Sequence, residues 1–191
     1  MKRLALVTGI LALAAPLALA QASTWTSDPA HSAVVFSVRH MTISNVQGRI
    51  GKVAATLLLN ETDIIKSSVT ATIDVSTIDT GEPARDTHLK SPDFFDVEKF
   101  PTAKFVSTTV VKSGSGLTVN GNLTLHGVTK PVVLEVEGPI GPIMGMDKKP
   151  HSGFSATTTI SRSAFGIGAK FPEAIVGDEV KLTIEVELIK Q

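Results

Sequence analysis

The chain has no cysteine, no tyrosine, a single tryptophan and no net formal charge, with 18 Lys and Arg against 18 Asp and Glu in 191 residues. Without cysteine there is no disulfide framework, no thiolate-ligated zinc or iron–sulfur centre and no thiol nucleophile. The balanced charge argues against general nucleic-acid binding, which rests on a basic excess. The metalloprotease, nucleophile-elbow and P-loop signatures are missing, and Gly166-Ile167-Gly168 is too short for a dinucleotide loop. His31 and His40 lie nine positions apart, on opposite faces of any straight strand, which weakens a metal site built on that pair. No metal, cofactor or nucleic-acid partner is expected.

Lys2 and Arg3 precede an apolar run from Leu4 to Ala15, then Pro16 and Ala18-Leu19-Ala20. That order is a charged start, a short apolar stretch and a small-residue cleavage site. The run is shorter than the roughly 20 residues a membrane-spanning helix needs. Residues 1–20 therefore read as a signal peptide, residues 21–191 as the mature domain, and the periplasm as the destination. No later stretch is long and apolar enough to span as a helix. Loss of Lys2 and Arg3 leaves a net charge of −2.

The remainder alternates with period two, the signature of half-buried strands. Val180, Leu182, Ile184, Val186 and Leu188 share one face, and Lys181, Thr183, Glu185 and Glu187 the other. Val34, Phe36 and Val38 repeat the pattern, as do Val69, Ala71, Ile73 and Val75. Further sets are Val119, Gly121, Leu123 and Leu125; Val132, Leu134 and Val136; and Phe154, Ala156, Thr158 and Ile160. Less regular strands fall around 51–59 and 103–111, for about eight in all. Ser113-Gly114-Ser115-Gly116 reads as a hairpin turn, Asn60–Asp63 as another turn, and Gly138–Pro150 as a longer loop. Glu82–Val97 lacks alternation and reads as one or two short helices inserted between strands.

The fold class is thus all-β, a single domain with one apolar face per strand. Such a sheet closes as a sandwich or a barrel, and an eight-stranded barrel either fills its interior or holds one ligand. The small inward residues Ala71, Gly121 and Ala156 favour a cavity.

Specific motifs add to this pattern. Asp28-Pro29-Ala30-His31-Ser32 leads into Phe36-Ser37-Val38-Arg39-His40. Thr72-Ile73-Asp74-Val75, Arg85-Asp86-Thr87-His88-Leu89-Lys90-Ser91-Pro92-Asp93-Phe94-Phe95-Asp96, Phe100-Pro101-Thr102, Gly121–Thr129, Ser161–Ile167 and Val176–Val180 follow in order. Together they resemble the YceI-like family of secreted, lipocalin-like proteins that bind polyisoprenoid lipids. The resemblance runs from about Trp25 to Ile189. It implies an extended eight-stranded antiparallel barrel with a short helical insertion, enclosing a polyprenyl quinone, polyprenyl phosphate or similar long-chain apolar lipid, without catalysis. A homodimer is compatible with the family. Ile50 and Val53 stand where many relatives carry aromatics, which would reshape the tunnel.

Alternation and the resemblance together select Phe36, Val38, Ile73, Phe105, Leu123, Leu125, Val136, Phe154, Ile160, Leu182 and Ile184 as cavity lining. Candidate head-group contacts are His40, Arg85, His88 and Arg162. Two alternatives stand beside this reading. One is an enzyme acting on a lipid or quinone, with His88, Asp93 and Asp96 as acid–base groups. The other is a structural barrel with a sealed core.

Overall fold

The computed structural model describes residues 22–191. Ten antiparallel strands follow one another: β1 (Ala22–Ser27), β2 (Ala33–His40), β3 (Ser44–Ile50), β4 (Val53–Asn60), β5 (Ser68–Asp74), β6 (Thr102–Ser113), β7 (Gly116–Leu125), β8 (Val128–Met144), β9 (Pro150–Ser161) and β10 (Val176–Lys190). One helix, α1 (Pro83–Lys90), lies between β5 and β6. The leader expected at 1–20 lies outside the described residues. Eight strands form a ring in the order β1-β4-β5-β6-β7-β8-β9-β10, and β10 closes on β1. The β2–β3 hairpin continues the wall along the other half of β10. The ring has the expected eight members. The strand count is ten because the first two staves are each broken in the middle.

Serine hydroxyls repair those breaks. β10 pairs with β1 as far as Leu188↔Ser27 and takes up β2 at Glu185↔Ala33. Between them the Asp28 N–H donates to the Glu187 carbonyl at 2.8 Å. The fully buried Ser32 hydroxyl accepts from the Glu187 N–H at 3.2 Å. On the neighbouring stave, Ser27 Oγ donates to the Val53 carbonyl and accepts from the Ala55 N–H, both at 2.8 Å. Buried backbone groups need partners, and Asp28–Ser32 provides them where the chain leaves the ladder.

One end of the barrel is closed by the insertion. Glu82 caps α1 by accepting from the Ala84 N–H, and Pro83 occupies the first turn, where its missing N–H costs nothing. The helix is shorter than the expected Glu82–Val97 span; residues 91–99 are turns. Leu89, Phe94, Phe95 and Val97 pack with Val75, Ala103, Leu125, Ile160, Phe165 and Ile167 into an apolar plug.

At the opposite end the expected Gly138–Pro150 loop is not a loop. β8 runs on to Met144 and pairs with β9, with register shifts between Glu137 and Ile140 and between Ile140 and Ile143. Gly138 and Gly141, at φ of 116° and 105°, mark bulges rather than a chain break.

Candidate functional site

The interior of the ring is hollow. Along β10, Lys181, Thr183 and Glu185 point outward and are exposed, yet the opposing Leu182, Ile184 and Val186 are only half-buried. Inward residues of a filled core would be covered; these face empty space. The cavity measures about 280 Å³, near the lower bound of small-molecule sites at about 300–1,000 Å³. Its wall runs from Leu59, Ile64 and Ser67 at the hairpin end to Phe94, Arg162 and Ile167 at the plugged end. From Val180 to Leu188 a strand rises about 26 Å, or roughly 20 Å along the axis of a tilted barrel. The space is a slot suited to a chain. Apart from Ser67, Ser68, Thr158 and Arg162, every lining residue is apolar. The sealed-core alternative, which has no cavity, does not describe this interior.

All eleven residues selected from the sequence as lining, Phe36 through Ile184, face this cavity. On β4 the sequence pointed to Val53 alone as shaping the tunnel; Ala55, Leu57 and Leu59 line it as well. The inward residues of β4 do alternate, but Ala54 and the exposed Leu58 on the outer face make the strand look uniformly apolar. Ile50 lines the cavity beside Val53, whereas Phe94, Phe95 and Leu89 enter from the insertion. Tertiary packing delivers those three, and no strand pattern announces them.

Gly121 does not widen the slot as its size suggests. It faces inward, but the Phe105 ring lies across it, and a Cβ there would collide with that ring. Gly48 and Phe36 repeat the arrangement on β3 and β2. Each glycine lets an aromatic lie flat along the wall. Ala71 and Ala156 do line the open space.

The polar candidates fall elsewhere than expected. Arg162 reaches the cavity wall and is only 5% exposed, but all five of its N–H groups are engaged. Nε donates to the Gly177 carbonyl, Nη1 to those of Ile167 and Gly168, and Nη2 to those of Phe171 and Val176, at 2.7–3.1 Å. No donor is left for a head group, and the residue instead ties the 162–178 connection together. Arg85 donates to the Thr80 hydroxyl at 2.8 Å and to its carbonyl at 3.0 Å. Asp86 accepts from the same residue's N–H and hydroxyl. These contacts anchor α1 outside the cavity. His40 is an exposed strand end, paired through its backbone with Ser44 and Val176. It shares the parity of Phe36 and Val38 but lies beyond the lined region.

His88, Asp93 and Asp96 form no acid–base set facing the slot. His88 sits on the outer side of Phe94 and Phe171, edge-on to both rings at 5.1 and 5.8 Å. Its Nε2 is 3.2 Å from Asp93. Lys170, bonded to Asp93 at 2.6 Å, holds that carboxyl below its ordinary pKa, and His88 adds to the effect. Asp96 is buried in a left-handed turn and pairs with Lys99 at 2.9 Å. Phe94, whose ring lines the cavity, separates His88 from its interior.

A second histidine–carboxylate group runs along the outside. Asp28, His31 and Glu187 offer atoms within 4.8 Å of one another. His31 Nδ1 is already bonded to Asp28 at 2.8 Å, which lowers the Asp28 pKa and raises that of His31. His151 continues the line, with Nδ1 2.7 Å from Glu187 and Nε2 3.0 Å from Asp147. The set is an ion-pair seam binding the β1–β2 corner and the β8–β9 turn to β10.

A closed antiparallel barrel with one plugged end and an apolar slot belongs to the lipocalin-like class of barrels. Sequence comparison is more specific. The family model for the YceI-like domain matches residues 25–188. Protein YceI of Salmonella newport is 37% identical over 165 residues, covering 84% of this chain and 83% of its own. A UPF0312 protein of Vibrio parahaemolyticus is 37% identical over 175 residues, covering 87% and 89%. The chain belongs to the YceI-like family. Among solved structures, the Campylobacter jejuni YceI protein has a TM-score of 0.71 and 30% identity, covering 80% of this chain and 90% of its own. Burkholderia cenocepacia BcnA has 0.72 and 26%, covering 84% and 98%. The polyisoprenoid binding domain from Saccharophagus degradans shares the fold at a TM-score of 0.63 and 14% identity, covering 87% and 98%.

Proposed function

We propose that the protein is a non-catalytic carrier of a long-chain apolar lipid of polyisoprenoid type, held lengthwise in the barrel, and that it works in the periplasm after removal of residues 1–20. The observation that carries this reading is the elongated slot with its almost wholly apolar wall. A polyprenyl chain is nearly pure hydrocarbon. Its burial yields about 0.8 kcal/mol per methylene-sized group, or roughly 4 kcal/mol gross per five-carbon unit. A few units offset the ordering costs of association. The family supports this reading, and a domain described as polyisoprenoid-binding has the same fold. The His88–Asp93 pair, screened from the slot by Phe94, supplies no chemistry to a lipid inside.

Delipidated protein titrated with a polyprenyl lipid should show saturable uptake of one chain per barrel. His88→Ala should leave that uptake unchanged. Absence of uptake, with the fold intact by circular dichroism, would contradict the reading.

A further inference from the structure

At one rim of the barrel β8 runs past its β7 neighbour, while β9 stays paired with β10 as far as His151↔Ile189. β8 pairs with β7 no further than Val136, yet continues to Met144. At about 3.3 Å per residue, less the two bulges, it projects roughly 20 Å past that neighbour. Its outer segment carries Ile140, Ile143 and Met144, each about two-thirds exposed, and Met146, which is fully exposed. Scattered apolar residues on a surface are ordinary, but an apolar group clustered on one unpartnered strand edge and its turn marks an interaction site. Lys148 and Lys149 follow in the same turn. The turn's acid, Asp147, accepts from His151 and from the Lys149 N–H, both at 3.0 Å, and among the described residues neither lysine ammonium forms an ion pair within 4 Å.

We propose that this hairpin is a membrane-docking wedge: Ile140, Ile143, Met144 and Met146 enter the boundary of an anionic bilayer, and Lys148 and Lys149 meet its phosphates. An apolar tip backed by cations is the arrangement that interfacial binding requires. A second copy of the chain fits less well. Four side chains on a strand edge and turn fall short of the about 800 Å² per partner that a stable interface buries. The inference rests on the lipid-carrier reading and gives it a physical step. A cargo this insoluble cannot cross water alone, so the carrier must touch the surface that supplies it.

The test is co-sedimentation with vesicles of phosphatidylglycerol and phosphatidylethanolamine, and with neutral phosphatidylcholine vesicles. The chain starting at Gln21 is used, because the ring of strands lies within Ala22–Lys190 and the apolar Leu4–Ala15 run would bind vesicles by itself. The wild type should partition to anionic vesicles. Ile143→Glu combined with Met146→Glu should reduce that binding at least ten-fold. Lys148→Gln and Lys149→Gln should each reduce it roughly five-fold on anionic vesicles, with little effect on neutral ones. Equal binding by the wild type and the double-Glu variant, or none by the wild type, would overturn the proposal. So would a tip-dependent dimer that ignores vesicles. Uptake of lipid delivered from ethanol is read separately, and the tip variants should retain it. A carrier that docks but takes up nothing would fail the reading of the cavity and leave the wedge standing; one that loads from ethanol but never docks would do the reverse.

Discussion

The two ends of the barrel solve opposite problems. At the insertion end, Phe94, Phe165, Ile167 and Val75 are buried together, and Arg162 gathers five carbonyls from one irregular connection. At the hairpin end, Ile140, Ile143, Met144 and Met146 are two-thirds to fully exposed, and the outer edge of β8 runs past its neighbour. The first end closes off a hydrocarbon slot. The second presents hydrocarbon to the outside. A sequence can place similar apolar residues at both ends, and only the segments packed over them decide which become core.

The largest expected effect breaks the plugged end. Arg162→Met would take the guanidinium donors from five carbonyls, of which, among the described residues, only that of Gly168 keeps another loop donor, the Phe171 N–H. Each orphaned buried group costs about 1–3 kcal/mol, so even with partial rehydration the loss should reach about 3 kcal/mol, read as a lower urea midpoint. Stability within about 1 kcal/mol of the wild type would show that the Arg162 clamp is dispensable.

Much of this arrangement was legible in the sequence. Alternation exposed the inward faces of β2, β5, β7, β8, β9 and β10, because their outer positions are mostly polar, with Val35 and Val133 as exceptions. β4 was blurred by Ala54 and Leu58 on its outer face. The Gly138–Pro150 stretch looked like a loop because Gly and Pro usually break strands; here they form bulges within a long hairpin. The role of Arg162 was hidden for another reason. Its partners are backbone carbonyls spread over 167–177, and a carbonyl has no identity in a sequence. The same holds for Phe105 lying over Gly121, where a small residue signals close packing and not open space.

The next prediction separates the cavity from the fold. Ala71→Phe would place a ring in the slot from the middle of β5. Overpacking costs about 1–3 kcal/mol, so the protein should still fold, while polyprenyl uptake should fall at least ten-fold in a titration. Full uptake by a folded Ala71→Phe protein would move the ligand elsewhere. Gly121→Ala tests the wall itself. The Phe105 ring has to shift, and chemical denaturation should register a loss of about 1–3 kcal/mol; a neutral result would mean that the ring has room to yield.

The smallest effect concerns the hairpin end and depends on pH. Both ring nitrogens of His151 face carboxylates, first Glu187 and then Asp147, which raises its pKa above the ordinary histidine value. A group with a raised folded-state pKa contributes fully below its unfolded value, about 6.5, and loses its contribution as pH rises through the folded value. Wild-type Tm should therefore exceed that of His151→Asn at pH 5.5, and the gap should narrow toward pH 8. A constant gap across that range would assign His151 a packing role.

A lipid inside the slot can be looked for directly. The most direct measurement is organic extraction of protein purified without detergent, with mass spectrometry of the extract set against native mass spectrometry of the intact protein. The extract should contain one polyprenyl chain per barrel, absent from Ala71→Phe prepared in the same way. Protein that emerges empty and stays empty when offered polyprenyl lipids would contradict it.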